Sequence, residues 1–370
     1  MSNKLSTRTG DIKKFSIFQA KDGGKSVDIL ESIADIKYYE DVLSNTISLS
    51  VTISEAGGSF DDKGAGYVGI LDGLPVRGGE PAIIIIEDHD GHKLEFKNDN
   101  KLYVNRVRNV IPGTQKDTYV IDFSSRELFA NEQSRVCKRY DGKISENVKK
   151  ILTEATSADV GIKTKKKVNV DETSLEYNFI GNDRKPFYVC TWLASKSVPS
   201  QAGDIGGAAG YLFYETYDGF NFRSIDALFQ QERRGNYIFS NVDTNPEGYK
   251  GKVITYDIDR DIDLQNNLML GTYANRTLFF DFYAMNYKVR NYSVDESGSS
   301  DNNKGAGSKG KIVTAGKDDL DSVADEFRLP ISRLMNKVLD VGTLPPGKDI
   351  DAQLEAWKDK PDKPTYDATK

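Results

Sequence analysis

Residues 46–54 read TISLSVTIS and alternate strictly between aliphatic and hydroxyl side chains. In an extended chain, the aliphatic residues Ile47, Leu49, Val51 and Ile53 fall on one side and the hydroxyl residues on the other. This stretch therefore predicts a β-strand with one buried face. The hydroxyl face suits contact with water or with another subunit, which favours a structural β-protein over an enzyme.

Further strands are predicted along the first part of the chain. Residues 82–86 read AIIII, which predicts a strand buried on both faces, and Asp90-Gly91 marks a hairpin turn after it. About six strands in meander spacing indicate a barrel or a strongly twisted sheet. The predicted strands lie at 28–38, 46–54, 82–86, 93–96, 101–111 and 117–124.

The period of the apolar residues then changes. Ile144, Val148, Ile151 and Leu152 have helical spacing and predict a helix over 143–156. A second helix is predicted to begin at Pro186, because proline favours the first helical position. Its predicted buried residues are Phe187, Cys190, Leu193 and Ala194.

The remaining elements are mostly strands. Tyr211–Tyr217 and Phe220–Arg223 are predicted to form an aromatic hairpin around Asp218-Gly219. Further strands are predicted at 235–240, 251–258 and 277–290. A helix is predicted over 319–340, interrupted at Pro330.

The composition is that of a folded chain of two or three domains, with 370 residues, 38% hydrophobic and 29% charged. A net charge of −6 disfavours a general nucleic-acid binder, since affinity for phosphate rests on clustered basic residues. The lysine-rich run 163–167 is interpreted as a solvated loop. No run approaches the roughly 18 apolar residues of a membrane span, so no membrane insertion is expected. Cys137 and Cys190 are expected to be reduced thiols.

No stretch carries a convincing catalytic, cofactor or metal motif. Residues 64–69 read GAGYVG, but the dinucleotide motif needs a buried strand before it and a helix after it. His89 and His92 are predicted to lie on a hairpin tip, where they suit neither a metal site nor a catalytic triad. The alternating aspartates of 257–263 lack the glycine and glutamate of a calcium loop and are interpreted as a solvated strand edge or turn. We predict no catalytic residues, no cofactor and no metal ligands.

The order of these parts resembles the central baseplate hub proteins of contractile-tailed bacteriophages, especially those of large cyanobacterial phages. The stretches that carry the resemblance are GILDGLPVRGG at 69–79 and the aromatic hairpin Tyr211–Asp226. The resemblance implies an α+β, mainly β chain with two small antiparallel β-barrel (tube) domains and with inserted and peripheral helical segments. It covers residues 26 to about 340 and contains no catalytic motif.

The resemblance also implies a function. It implies a homotrimeric ring with pseudo-six-fold symmetry that joins the tail tube to the central spike and contacts other baseplate proteins. The ring would line the channel through which DNA passes without sequence-specific binding, and we expect its channel face to be polar and acidic. It implies a non-enzymatic protein of the virion tail baseplate, assembled in the host cytoplasm.

The resemblance suggests a division of the chain. Residues 1–25 are predicted to be an N-terminal arm, and the second tube-type domain is predicted to be incomplete. In the resembled family, strands usually follow the late helix, so either the sequence is truncated or the second barrel takes its last strands from elsewhere; we favour truncation. The predicted parts after the arm are a first tube-type domain at 26–130, a mixed α/β domain at 131–245, a second tube-type domain at 246–340 with a flexible loop at 293–312, and a polar tail at 341–370.

The glycine-rich segment 64–77 is predicted to form an intersubunit contact, because its large side chains are too apolar to remain exposed. The predicted contact residues are Tyr67, Ile70, Leu71, Leu74 and Arg77.

Two alternatives stay open. The first is a carboxylate-dependent glycan hydrolase or lyase of the tail, which requires two carboxylates roughly 5–10 Å apart in a cleft. The second is a hub or spike protein of a bacterial contractile secretion system.

Overall fold

The structure is a computed structural model of the chain, and it describes residues 10–338 with several gaps, the longest of which are 201–209, 240–248 and 294–325. None of the described helices is long and apolar enough to cross a membrane. In chain order, the strands are β1 (Asp11–Phe18), β2 (Ser26–Asp28), β3 (Ile33–Tyr39), β4 (Ser48–Glu55), β5 (Phe60–Asp62), β6 (Gly66–Val68), β7 (Pro81–Glu87), β8 (Lys93–Phe96), β9 (Leu102–Ile111), β10 (Asp117–Ser125), β11 (Arg139–Tyr140), β12 (Lys167–Val170), β13 (Phe179–Ile180), β14 (Tyr211–Thr216), β15 (Gly219–Ser224), β16 (Tyr237–Phe239), β17 (Gly251–Val253), β18 (Ala274–Asp281), β19 (Asn286–Ser293) and β20 (Arg333–Val338). The α-helices are α1 (Ile70–Gly73), α2 (Arg126–Gln133), α3 (Ile144–Thr153), α4 (Pro186–Ala194), α5 (Ile225–Phe229) and α6 (Leu264–Leu270).

Most of the first ten strands form one antiparallel sheet, which we call the first sheet. Its strand order is β2-β1-β7-β9-β10-β4-β3, and β8 also pairs with β7. The strand predicted from the alternating stretch is confirmed as β4, with Leu49, Val51 and Ile53 fully buried. The predicted hairpin of β3 and β4 is confirmed as well. The sheet therefore buries its aliphatic face in the first hydrophobic core and leaves the hydroxyl face of β4 outside.

The first sheet curls strongly without closing into a barrel. Its outermost strands, β2 and β3, are consecutive in the chain and are separated only by residues 29–32. Six strand spacings of about 4.8 Å span roughly 29 Å in a flat sheet, whereas the five residue steps from Asp28 to Ile33 reach at most about 18 Å. The sheet must bend to bring these two strands close together. The closed barrel predicted for 26–130 is wrong, because no strand pairing joins β2 to β3 among the described residues.

Two further predictions for this region are wrong. The predicted arm, residues 1–25, contains β1, which pairs with β7 and buries Phe15 and Ile17 completely. Its lysines face solvent, so a polar composition concealed a strand that belongs to the core. Strand β7 is not buried on both faces, since Ile83 and Ile85 are only partly covered. The hydrophobic core lies on the other side of the sheet, against Ala82 and Ile84.

The middle of the chain forms a second hydrophobic core from helices and short sheets. The predicted helix at 143–156 is confirmed as α3, and α4 begins at Pro186 as predicted. Strands β14 and β15 form the predicted aromatic hairpin, to which β12 adds in parallel. The cysteine predictions are consistent with the structure, in which Cys137 and Cys190 are both free thiols.

After the first sheet and the short sheets of the middle of the chain comes a sheet with the strand order β19-β18-β20, which we call the third sheet. Strand β18 pairs antiparallel with β19 and parallel with β20. The antiparallel barrel predicted for 246–340 is wrong for the described residues of this range. They hold this open sheet and β17, which pairs in parallel with β16 of the preceding segment.

The helix predicted over 319–340 is also wrong over residues 333–338, which form β20. Leu334, Met335 and Val338 have spacing that fits a helix, but the backbone of this segment pairs with β18 instead. The spacing of a few apolar residues cannot distinguish a helix from a strand when a neighbouring strand offers hydrogen-bonding partners. The predicted tail at 341–370 and the predicted loop at 293–312, apart from Ser293 at the end of β19, lie outside the described residues.

Candidate functional surfaces

The hydroxyl face of β4 carries a cluster of charges around Asp122 on the neighbouring strand β10. Ser50 donates a hydrogen bond of 2.6 Å to Oδ1 of Asp122. The Nε atoms of Arg106 and Arg108 each lie 2.8 Å from Oδ2 of the same carboxylate. Burial alone would raise the pKa of Asp122, but the hydrogen bonds from Arg108, Ser50 and Arg106 lower this pKa to about 2. Asp122 therefore stays ionised and fixes both arginines on this face.

The same cluster bears on the expected acidic channel face. The side chains of Arg106 and Arg108 are 66% and 40% exposed, whereas that of Asp122 is only 12% exposed. Two guanidinium groups share one carboxylate, so the cluster carries a net positive charge of one. This part of the hydroxyl face of β4 is therefore basic, whereas the channel face was predicted to be acidic.

A buried network of charges joins the first sheet to the middle of the chain. The Nζ atom of Lys166 lies 2.7 Å from Oε1 of Glu215 and 3.3 Å from Oε2 of Glu127, and all three side chains are at most 3% exposed. The other oxygen of Glu215 accepts hydrogen bonds from the Ile47 backbone N–H at 3.1 Å and from the Ser125 hydroxyl at 2.8 Å. Burial raises the pKa of Glu215, and the charge of Lys166 opposes this shift.

This network was not anticipated from the sequence. The run 163–167 was expected to be a solvated loop, but the side chain of Lys166 is only 3% exposed. Glu127 lies on α2, which directly continues β10, and Thr164 donates a 2.8 Å hydrogen bond to it. The local sequence at 163–167 gives no indication that Lys166 is buried. Its partners, Glu127 and Glu215, are 39 and 49 residues away in the chain.

The tip of the aromatic hairpin forms a second connection between the same two parts. The ring of Tyr217 meets Phe96 edge-on, with 5.6 Å between the ring centroids. Its hydroxyl lies 3.2 Å from the backbone N of Glu95, and its carbonyl accepts a 3.1 Å hydrogen bond from the Asn100 side chain. Its backbone N–H donates to Glu40. The hairpin named in the resemblance thus holds the middle of the chain against the first sheet.

One face of the third sheet presents large apolar side chains to solvent. The register places Phe280 opposite Tyr287 on one side and Val338 on the other, and it places Leu278 opposite Val289. Directly paired residues point to the same face of a sheet. We call this surface the exposed apolar face. Its most exposed members are Leu334 at 67%, Val338 at 60%, Tyr287 at 59%, Val289 at 45% and Phe280 at 37%.

The predicted intersubunit contact residues lie elsewhere than expected. Ile70 and Leu74 are fully buried in the first core, and Leu71 packs against that core. Their apolar character therefore needs no partner subunit, so the reason given for the contact does not hold for Ile70 and Leu74. The intersubunit contact of this segment stays a prediction. Arg77 is exposed, whereas the side chain of Tyr67 lies outside the described residues.

Internal contacts explain why this glycine-rich segment is ordered at α1. The Ile70 backbone N–H donates to the carboxylate of Glu55, with N–O distances of 3.1 and 2.9 Å. Tyr119 donates a 2.8 Å hydrogen bond to the same carboxylate, which is almost completely buried. The segment therefore closes one end of the first core.

The motifs considered for catalysis or metal binding form no site in the described part of the chain. No group of three or more potential metal ligands occurs there. His92 has a 79% exposed side chain near Asp88, whereas His89 lies outside the described residues. Asp263 caps α6 by accepting a 2.9 Å hydrogen bond from the Asn266 N–H, which gives this aspartate a structural role.

Comparisons with known proteins give only distant likenesses. No protein-family model and no curated protein sequence matches the chain. Among solved structures, the chain is similar to the 43 kDa tail protein of prophage MuSo2 from Shewanella oneidensis, with 12% identity and a TM-score of 0.37, over 63% of this chain and 57% of that one. It is similar to a prophage tail protein from Listeria monocytogenes, with 7% identity and a TM-score of 0.43, over 93% of this chain and 77% of that one.

A third similar structure is a component of the type VI secretion system of E. coli, itself similar to tail proteins of phage T4. Identity is 9% and the TM-score is 0.31, over 64% of this chain and 51% of that one. The chain thus spans less than two thirds of the length of the Shewanella and E. coli proteins.

Proposed function

We propose that the chain is a structural, non-enzymatic subunit of a phage tail baseplate, where three copies form a hub ring between the tail tube and the central spike. The ring assembles in the host cytoplasm and lines the channel for DNA. The observation that carries this proposal is the exposed apolar face of the third sheet. The proposal that this assembly is a baseplate hub comes from the sequence resemblance at 69–79 and in the aromatic hairpin.

The exposed apolar face supports an assembly role because apolar side chains stabilise a protein only when they are removed from water. The opposite face of β18 buries Thr277 and Phe279 within the chain, whereas Leu334 and Val338 remain more than half exposed. Exposed large apolar side chains grouped on one face of a sheet mark a protein-interaction site, and here Asn336 lies between Leu334 and Val338 on that face. We propose that another copy of the chain covers it.

Open sheet edges support a ring of copies. Among the described strands, β2 and β3 end the first sheet, and β19 and β20 end the third sheet. Unpaired edges are templates for pairing with another chain, and a head-to-tail interface generates a ring when its rotation closes. Three chains with two sheets each would give a six-part ring, which matches a hexameric tube above and a three-fold spike below.

The hydroxyl face of β4 is the proposed channel lining. Its arginines are engaged by Asp122, so they offer phosphate groups fewer free N–H donors than unpaired arginines would. Hydroxyl side chains beside them carry no net charge. The cluster keeps a net charge of plus one, so this proposed lining would attract phosphate groups but would not read the base sequence, which fits DNA passage without sequence-specific binding.

Light scattering coupled to gel filtration tests the proposal. The full chain has a mass of 41.2 kDa, and we expect a species of three times this mass that dissociates on dilution. Leu334→Asp should shift the protein to the monomer, because it places a charge on the exposed apolar face. The matched control is Val160→Asp, at a side chain that is 48% exposed in the middle of the chain. A wild-type monomer at all concentrations, or a trimer unaffected by Leu334→Asp, would contradict the proposal.

A further inference from the structure

A cavity of about 390 Å³ lies between the β13–α4 loop and one side of α4. Its residues belong to none of the surfaces described above. Its lining combines an amide, a carboxylate, a guanidinium and two aromatic rings, contributed by Asn182, Asp183, Arg184, Tyr188 and Trp192. Small-molecule sites usually have volumes of roughly 300–1,000 Å³ and few, precisely placed polar groups. The volume lies within this range, and the side chains of Asn182, Asp183, Arg184 and Tyr188 are exposed, so the cavity opens to solvent.

The loop that forms one wall has a fixed backbone. Asn182 and Asp183 both have left-handed φ angles of 48° and 58°, and the Arg184 N–H donates a 3.1 Å hydrogen bond to the Gly181 carbonyl. A Cβ atom at Gly181 would lie 2.3 Å from the Val136 carbonyl oxygen, so the loop is pressed against that residue. Glycine is favoured in such turns, yet this chain places two polar side chains there, both in the cavity wall.

The aromatic wall is also held in place. The ring of Trp192 meets Tyr177 and Phe179 edge-on, with 5.7 Å between centroids in each pair. The guanidinium carbon of Arg184 lies 5.4 Å from the centroid of Tyr188, which orients both side chains. A ligand would therefore meet a largely preformed site.

The polar groups retain unused hydrogen-bonding capacity. Arg184 forms no ion pair or side-chain hydrogen bond within the part of the chain that the structure describes. Oδ1 of Asp183 accepts a 2.6 Å hydrogen bond from the Cys137 thiol, and Oδ2 has no such partner among the described residues. One guanidinium and one carboxylate give the lining no net charge, so neither an anion nor a cation is favoured overall.

We infer that this cavity binds a neutral saccharide. A sugar ring presents flat patches of C–H groups that suit aromatic side chains, and the lining contains Tyr188 and Trp192. Its hydroxyl groups both donate and accept hydrogen bonds, which suits Asn182, Asp183 and Arg184 together. A single carboxylate in the lining makes this a binding site and not a pair of hydrolytic acids. The inference is independent of the assembly role proposed above.

Tryptophan fluorescence tests the inference on the full chain. The chain has two tryptophans, so Trp357→Phe leaves Trp192 as the only one. The probes are the β-1,4-linked tetramer of N-acetylglucosamine and maltotetraose, with tetra-alanine as the peptide probe. We expect saturable fluorescence changes with at least one sugar at a Kd below about 1 mM. Tyr188→Ala and Asn182→Gly should each weaken this binding about tenfold.

Tyr237→Ala is the matched control, since Tyr237 is 59% exposed and Tyr188 is 55% exposed. It should leave sugar binding unchanged. Asn182→Gly keeps a residue that tolerates the left-handed φ, so a loss of binding would reflect the missing amide and not a broken turn. No saturable change with either sugar up to about 10 mM overturns the inference. Equal binding by Tyr188→Ala, or binding of tetra-alanine alone, overturns it too.

Discussion

The Nζ atom of Lys166 lies 2.7 Å from Oε1 of Glu215 where both side chains are almost completely buried. Lys166 precedes β12, and Glu215 lies on β14, but the second oxygen of Glu215 accepts from Ile47 and Ser125 of the first part of the chain. The carboxylate of Glu215 thus bonds to groups of the first sheet and to Lys166 of the middle of the chain. Its geometry holds the first sheet and the second core in a fixed relation.

Replacing Lys166 with methionine should strongly destabilise this connection. Lys166→Met leaves Glu127 and Glu215 buried without their counter-charge, which should lower the free energy of unfolding by about 3–5 kcal/mol. Urea unfolding followed by circular dichroism measures this. Lys165→Met is the control, because the side chain of Lys165 is 76% exposed and should contribute little.

The same variant should respond to pH in a defined direction. Burial raises the pKa of Glu215, and removing Lys166 removes the charge that opposes this. A carboxyl group with a raised pKa in the folded state contributes stability at low pH that is lost as pH rises through that pKa. The decrease in the free energy of unfolding caused by Lys166→Met should therefore be larger at pH 8 than at pH 5. An equal loss at both values would contradict this assignment.

The carboxylate of Asp122 should make stability fall in acid. Its folded pKa is lowered to about 2, so the stability it contributes is present above its unfolded pKa and is lost as pH falls towards the folded value. After allowance for screening by solvent, Asp122→Asn should cost about 1–2 kcal/mol at neutral pH. Chemical unfolding at several pH values measures the difference between the two proteins.

That difference should shrink between about pH 4 and pH 2, since Asp122 becomes protonated first in the unfolded chain and then in the folded protein as pH approaches about 2. The control is Asp35→Asn, because Asp35 pairs with Lys37 at 3.2 Å and its side chain is 51% exposed. Asp35→Asn should have little effect at any pH. A cost of Asp122→Asn that is the same at pH 2 and pH 7 would show that the cluster acts through packing and not through charge.

Truncating Tyr217 should uncouple the middle of the chain from the first sheet. Tyr217→Ala removes the ring contact with Phe96 and the hydroxyl contacts with Glu95, and should cost about 3 kcal/mol. Tyr217→Phe retains the ring and should cost about 1 kcal/mol. Hydrogen exchange followed by mass spectrometry should show faster exchange in β8 for Tyr217→Ala.

The control for this pair is Tyr237→Ala, which removes an exposed ring outside both hydrophobic cores. It should leave exchange in β8 unchanged. If Tyr217→Ala exchanged no faster than the control, the hairpin tip would not be holding the two parts together.

Local patterns in the sequence predicted the regular elements well. The strict alternation of 46–54 predicted β4 and its buried face, and Pro186 marked the start of α4. The Asp218-Gly219 pair predicted the turn between β14 and β15. The structure shows why glycine is needed there, since Gly219 has a φ of 131° and lies close to the Lys167 carbonyl. Each of these signals depends on residues that are close together in the chain.

Features that depend on distant residues were not predictable in this way. The spacing of Leu334, Met335 and Val338 fitted a helix, and only the presence of β18 beside this segment made it a strand. The burial of Lys166 depends on Glu127 and Glu215, which nothing in the local sequence indicates. Ile70 was expected to need a partner subunit, but the first core of the same chain covers it.

The thiol of Cys137 should be unusually unreactive for an exposed cysteine. Its Sγ atom donates a 2.6 Å hydrogen bond to Oδ1 of Asp183, which raises the pKa of the thiol because the carboxylate stabilises the protonated form. Asp183→Asn should therefore increase the thiolate fraction and speed alkylation by iodoacetamide at pH 8 several-fold. Burial raises the pKa of Cys190, so this cysteine should not react in the folded protein. Mass spectrometry of the alkylated peptides distinguishes the two sites, and Cys137→Ala supplies the background. If Asp183→Asn left the alkylation rate of Cys137 unchanged, the carboxylate would not control this thiol.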